Sequence, residues 1–289
     1  MKHLRFLRGL GRHVDLMNRG RQPLYVDYPV EPLPRYGWGS PRHAALDALL
    51  GARRDRYREI LRGLEGASEH LQGIPLTGTD REPSWLNRYI GGLDAATLYC
   101  APKLFGSKRY LEVGSGSSTR FVRRGAEDFG LPIRITSIDP SPRAEVDDIC
   151  DDLVRARLEE APLELFDALE PNDVVMFDGS HRCFQNSDVA VAFLDVLPRL
   201  APGVLVFMHD IFLPDDYPES LMARYYSEQY LLAVLLLADG ERRYEIVFPA
   251  HFCETDAELG PETLRTWRGI APADLETHAS GFWLRVKST

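Results

Sequence analysis

The stretch that most constrains this chain is Arg109 to Thr119, RYLEVGSGSST. A short apolar run, Tyr110 to Val113, leads directly into Gly114, Ser115, Gly116 and Ser117, and Ser118 or Thr119 stands where a helix through Phe121 and Val122 would take its cap. A buried strand that turns at once into a helix needs a backbone that bends sharply and tolerates close approach, which glycine supplies. The helix start then offers unpaired N–H groups, a seat suited to a nucleotide-like ligand. The next apolar run, Ile133 to Ile138, ends in Asp139. That acid lies about 20 residues past the glycines, the separation at which doubly wound folds place a carboxylate on ribose hydroxyls.

Downstream the punctuation is regular. Strands are expected at Tyr110 to Val113, Ile133 to Ile138, around Leu153 to Arg157, at Val174 to Phe177, Val204 to Met208, Tyr244 to Phe248 and Gly281 to Val286. Helical stretches separate them, notably Ser187 to Leu200, Pro218 to Leu237 and a helix near Pro261 to Trp267. Strand and helix in alternation predict βαβ units and a largely parallel sheet. Before the first strand, residues 22–41 carry Pro23, Pro29, Pro32, Pro34 and Pro41, which resist helix and predict an extended arm. Leu46, Leu49, Leu50, Tyr57, Ile60, Leu61 and Leu64 then fall at helical spacing. In WLNRYIGGLDAATLY, Trp85 to Tyr99, a loop and a helix are expected, with Asp94 as a cap.

Ligands of open α/β sheets sit outside the carboxyl ends of the strands. Read together, those ends supply Glu112 to Ser118, Asp139, the run Asp178, Gly179, Ser180 and His181, and the pair His209 and Asp210. Four segments, LEVGSGSS, TSIDP, DVVMFDGSH and LAPGVLVFMHDIFLP, resemble the strand-end motifs of class I S-adenosylmethionine-dependent methyltransferases, and within that class the bacterial small-molecule O-methyltransferases. The resemblance implies a Rossmann-like methyltransferase fold: an α/β, mostly parallel seven-stranded sheet whose last two strands form an antiparallel hairpin, preceded by a helical extension. It implies an arm and helical extension over residues 1–84 and an S-adenosylmethionine-binding domain over 85–289. Glu112, Gly114, Ser115, Gly116, Ser117 and Ser118 would surround the methionine part of the cofactor, Asp139 and Pro140 the ribose, Leu158 and Glu159 the adenine, with Asp178 and Gly179 ordering it from the fourth strand. Ser118 stands where a third glycine is frequent in the family.

A sulfonium makes the methyl group electrophilic, so the protein has to align, desolvate and, where needed, remove a proton. His209 and His181 are the candidate bases, with Asp210 orienting His209, because imidazole titrates near operating pH. Each also reads as a structural hydrogen-bonding group. Asp178, His209 and Asp210 together admit a divalent metal as well, since some small-molecule O-methyltransferases hold magnesium at these strand ends. Histidine among the donors would shift that preference toward manganese, iron or zinc. Loop Ile211 to Ser220 is placed to wall the acceptor, with Tyr217, Tyr225, Tyr226 and Tyr230 nearby, and Tyr36, Trp38 and Trp85 of the extension would close the other side. Arg182 is a candidate for an anionic group of the acceptor.

The resulting expectation is methyl transfer to a hydroxyl, or less readily an amine, of a small molecule. Two competitors stand beside it: an S-adenosylmethionine enzyme that does not methylate, and a non-catalytic cofactor-binding scaffold. A net charge of −9 argues against nucleic acid as partner. The longest apolar run, Leu231 to Ala238, is too short to span a membrane. The four cysteines show no CxxC pair, which fits reduced thiols and a cytoplasmic location. The basic segment 1–21, with Leu4, Leu7, Leu10 and Val14 on one side, reads as an amphipathic helix or a tail, and the extension offers a homodimer surface.

Overall fold

A computed structural model of the chain describes residues 27, 28, 30–78, 81–87, 89–142, 145–239, 241–272 and 274–288. The amphipathic reading of segment 1–21 lies outside the described residues. Contacts divide the chain into a short unit, Met1–Leu33, and a large one, Pro34–Thr289, to which everything below refers.

The large unit opens with three helices, α1 (Ala44–Gly51), α2 (Arg54–Glu65) and α3 (Ser68–Gln72). In α2 the buried Tyr57, Leu61 and Leu64 follow helical spacing and form its inner face. Its outer arginines tie it to a distant part of the chain: Arg54 holds Asp256 through two hydrogen bonds of 2.9 and 2.6 Å, and Arg58 reaches Glu262. Helix α4 (Gly92–Phe105) follows, buried from Gly92 to Pro102.

The sheet holds seven strands: β1 (Arg109–Val113), β2 (Arg134–Ile138), β3 (Asp152–Val154), β4 (Val174–Phe177), β5 (Leu205–Met208), β6 (Tyr244–Pro249) and β7 (Phe282–Val286). Their order is β3-β2-β1-β4-β5-β7-β6. The first five are mutually parallel, and β7 runs antiparallel to both β5 and β6. All residues of β4 and β5 are buried, as expected of central parallel strands covered on both faces. This is the expected Rossmann-like methyltransferase fold, C-terminal hairpin included, with each strand within a few residues of its expected place. At β1 the chain's direction across the sheet reverses, and β1 and β4 stay paired to their carboxyl ends, past which such sheets bind ligands.

The remaining helices are α5 (Ser117–Asp128), α6 (Glu164–Asp167), α7 (Asp188–Val191), α8 (Glu219–Met222), α9 (Glu228–Asp239), α10 (Ala250–Thr255) and α11 (Leu259–Ile270). Two expected long helices are broken. After α7 the chain passes through a wider π turn, Ala192–Val196, and a tighter one, Leu197–Arg199, because Pro198 has no N–H to continue the ladder. The stretch 218–237 splits into α8 and α9 around Tyr225, whose φ is +53°. There Ser227 N–H donates to His181 O at 2.8 Å, so the site, rather than helical spacing, sets the backbone.

Candidate active site

The turn after β1 is built by contacts with its neighbours. Gly114 has φ +88°, and a Cβ there would lie 2.1 Å from the Asp178 carbonyl oxygen, so the ends of β1 and β4 meet only because this residue is glycine. At Gly116 an added Cβ meets no atom within 4 Å among the described residues, so the floor of the turn faces open space. Beneath it Glu112 is fully buried and serves as a peg: Tyr110 and Ser118 hydroxyls donate to its Oε2 at 3.0 and 2.9 Å, and the Thr119 hydroxyl bonds Oε1. Burial pushes the Glu112 carboxyl up to about 7 against these hydroxyls, which favour its charge. Glu112 therefore faces inward and shapes the cradle, and the surface offered to a ligand is backbone and Gly116.

Asp139, just past β2, accepts Ser115 N–H at 2.9 Å and Ser141 N–H at 2.7 Å. It joins the two strand ends, and Ser115 Oγ lies 2.6 Å from Ser137 Oγ below it. Pro140 beside it is exposed, while Leu158 and Glu159 form a short turn after β3 with Leu158 buried and Glu159 half-buried. These residues stand just past the ends of β1, β2 and β3.

The β4 and β5 ends hold a second cluster. His209 is buried, with Nδ1 3.4 Å from Asp178 Oδ1 and 3.8 Å from Asp210 Oδ1, and with Nε2 3.7 Å from Asp94 Oδ2. Its Nδ1 makes no hydrogen bond. Burial disfavours the imidazolium, but Asp178, Asp210 and Asp94 overrule it and hold His209 up at about 9. His181 is placed differently: Nδ1 bonds Glu228 Oε2 at 2.9 Å, Nε2 bonds Asp178 Oδ1 at 3.1 Å, and Tyr226 packs on the ring at 4.6 Å. Both its nitrogens are engaged, so it braces the cluster and has none free for an acceptor. Burial works against the charge of Asp178, and the two imidazoliums outweigh it, holding this carboxyl well below the usual carboxylate range.

Asp94 and Glu228 are the members that sequence reasoning missed. Asp94 was expected to cap a helix. Instead its carboxylate lies buried in α4, accepting Ser280 N–H on Oδ2 and Gly281 N–H on Oδ1, each at 2.8 Å, which joins α4 to the start of β7 beneath His209. Burial lifts it to about 6 against those bonds and the His209 charge. Nothing local marks either residue, because their partners are far away in sequence.

The wall residues sort in two. Tyr217 is buried, its hydroxyl accepting Gln229 N–H, and the Tyr230 hydroxyl bonds Asp216. Trp38 stands beside Phe212 at 6.3 Å and His251 at 5.6 Å. Trp85 does not join them: it is buried between Phe121 and Trp267, at 5.8 and 5.3 Å, and supports the core. Arg182 spends its guanidinium on the carbonyls of Ser180 and Arg224.

The donors Asp178, His209 and Asp210 do not fit a metal as they stand. Among the described residues no three His, Cys, Asp or Glu side chains converge to hold one. Among the described residues no helix is long and apolar enough to cross a membrane.

Residues 111–211 match a protein-family model described as a methyltransferase domain. No curated protein matches the chain. Among solved structures, an S-adenosylhomocysteine-bound methyltransferase of Podospora anserina, PaMTH1, aligns at 16% identity over 68% of this chain and 79% of its own, with a TM-score of 0.42. The plantazolicin methyltransferase BpumL, in complex with a pentazolic desmethylPZN analogue and S-adenosylhomocysteine, aligns at 16% over 67% and 82%, with a TM-score of 0.39. A mutein of the branched-chain polyamine synthase of Thermus thermophilus, bound to 5'-methylthioadenosine, aligns at 14% over 94% and 76%, with a TM-score of 0.39. The matched span runs from within β1 to just past β5 and holds the cradle with Asp178, His181, His209 and Asp210, while Asp94 and Glu228 lie outside it.

Proposed function

From a chain built around a class I, S-adenosylmethionine-dependent methyltransferase domain, we propose that the protein transfers the methyl group to a hydroxyl of a small-molecule acceptor, with His209 as the base. The observation that carries this reading is the buried His209 Nδ1 with no hydrogen bond, flanked by Asp178 and Asp210 at 3.4 and 3.8 Å. At these distances Nδ1 is within ion-pair range of both carboxylates without a well-formed hydrogen bond to either. An acceptor hydroxyl reaching Nδ1 would complete its hydrogen bonding.

When bound, S-adenosylmethionine supplies an electrophilic methyl group on a sulfonium. The backbone of Gly114 to Ser118 would take its methionine part over the open face of Gly116, Asp139 its ribose, and Leu158 and Glu159 its adenine. At neutral pH the His209 imidazole is mostly charged, so the base is the neutral fraction, which grows as pH rises toward about 9. Asp178 and Asp210 hold the ring in place and favour positive charge at the acceptor oxygen. His181, locked between Asp178 and Glu228, keeps the Asp178 carboxylate from turning away. Residues 85–289 form the catalytic domain in this reading, and residues before 85 add to the acceptor wall. No step runs through a metal.

The test is calorimetric titration with S-adenosylhomocysteine, with and without EDTA, using Gly116→Arg as the control. Micromolar binding, lost in the control and indifferent to chelation, is the expected result. No binding by the wild-type protein refutes the methyltransferase reading, and binding that needs a metal refutes the ion-pair account of the cluster.

A further inference from the structure

In the strap Tyr36 to Ser40, Gly37, Trp38 and Gly39 take φ values of +70°, +53° and +99° in succession. For a bulky residue such as Trp38 this conformation is a true outlier, and it persists only where the surroundings over-determine it. They do so here through loop 212–217. Arg35 N–H donates to Asp216 Oδ2 at 3.0 Å, Asp216 N–H to Tyr36 O at 3.0 Å, His43 N–H to Pro214 O at 3.3 Å, and the indole N–H of Trp38 to Asp216 O at 2.8 Å. A Cβ at Gly37 would lie 2.4 Å from the Asp215 carboxyl carbon, so the strap seats against the loop only as glycine.

Core packing does not account for this outlay of strain. Trp38 stays 50% exposed, while Trp85, Trp267 and Trp283 are 3%, 2% and 0% exposed. The indole is held rigidly at the surface, with the rings of Phe212 and His251 beside it at 6.3 and 5.6 Å. Phe212 follows His209 by three residues, so this aromatic corner lies no more than about 11 Å of chain from the proposed base. A rigid aromatic with its polar end satisfied and its face open is the usual form of a ligand wall.

We propose that Trp38 is the specificity-determining wall of the acceptor site: its indole stacks on a flat aromatic part of the acceptor and so selects ring compounds over saturated ones of equal size. This rests on the methyltransferase reading above. Because strap and post-β5 loop are joined by hydrogen bonds, a ring seated on Trp38 is held at a fixed distance from His209.

The probes are p-cresol and its saturated counterpart 4-methylcyclohexanol, each added to protein loaded with S-adenosylhomocysteine. Trp38 is the one half-exposed tryptophan, so acrylamide quenching of emission excited at 295 nm reports on it selectively. p-Cresol is expected to protect it and to bind about fivefold more tightly than the saturated alcohol, the preference of a single aromatic pair. In Trp38→Ala that preference disappears while S-adenosylhomocysteine affinity stays within twofold, and Trp38→Phe restores part of it. Equal binding of the two probes, absence of protection, or a preference that survives in Trp38→Ala overturns the proposal. The quenching arm needs only wild-type protein, so it decides the matter even if a variant misfolds. Failure to bind S-adenosylhomocysteine would instead strike the reading on which the proposal rests.

Discussion

Gly114 and Gly116 sit two residues apart in one turn, and the structure gives them opposite sensitivities to the same small change. In Gly114→Ala the new methyl meets a backbone carbonyl, Asp178 O at 2.1 Å, which no side-chain rotation can clear. The left-handed φ adds about 1–2 kcal/mol for a residue with a Cβ. Overpacking of this kind adds about 1–3 kcal/mol. Together they amount to roughly 3 kcal/mol, and with an unfolding entropy of about 0.6 kcal/mol per degree for a chain of this length, melting should fall by about 5 °C. The overlap is relieved only by parting β1 from β4 at the crevice, so S-adenosylhomocysteine affinity should fall with it, by about tenfold or more. In Gly116→Ala the methyl enters open space. Stability should stay within about 1 kcal/mol of wild type, with any loss confined to cofactor binding. Thermal melts and calorimetry on both variants read this directly. A Gly114→Ala protein as stable as wild type, or a Gly116→Ala protein that melts as early, refutes the account of the turn.

Two further outcomes follow from the buried charges. Asp94→Asn keeps the shape but removes a carboxylate that accepts two backbone N–H groups; unfolding free energy should drop by about 2–4 kcal/mol in denaturant titration, and an unchanged midpoint would show the clasp to be idle. His209, held at about 9 in the folded protein against an ordinary 6.5, contributes stability that is complete below pH 6.5 and is lost as pH rises through 9. Wild type should therefore lose on the order of 1–3 kcal/mol between pH 6.5 and 9.5, and His209→Gln should lose clearly less, because only His181 then titrates in the same direction; parallel curves for the two proteins would sink the ion-pair assignment.

The sheet was legible because its signal is local. Runs such as Val174 to Phe177 and Val204 to Met208 are buried on both faces, and an apolar run of that length between turn residues has few other uses. The cradle was legible for the same reason, since Gly114 to Thr119 turns strand into helix within a few residues. The function of Glu112 was not: being acidic and next to the glycines suggests a ligand, whereas only the folded chain shows Tyr110, Ser118 and Thr119 enclosing it. His181 and His209 looked alike as histidines at strand ends. They differ because Glu228, from a helix much later in the chain, hydrogen-bonds the second nitrogen of His181, whereas His209 has carboxylates at 3.4 to 3.8 Å and no hydrogen bond on Nδ1. Trp85 and Trp38 also looked alike, and three-dimensional packing buried one and left the other half-exposed. The break at Tyr225 interrupts a helical pattern because the backbone there serves His181, a non-local demand that overrides propensity.

The strand order has a consequence for how the molecule is made. Strand β7 is the last in the chain but lies inside the sheet, between β5 and β6. During synthesis β5 must wait for it with one edge unpaired while roughly 70 further residues are added, some 4–15 s at cellular rates of elongation. Until then the nascent chain exposes an apolar strand edge ready to pair with any other extended segment, its own or a neighbour's. The crevice shares this delay: the Asp94 clasp beneath His209 requires Ser280 and Gly281, so the His209 cluster takes shape only when the final strand slides into its slot.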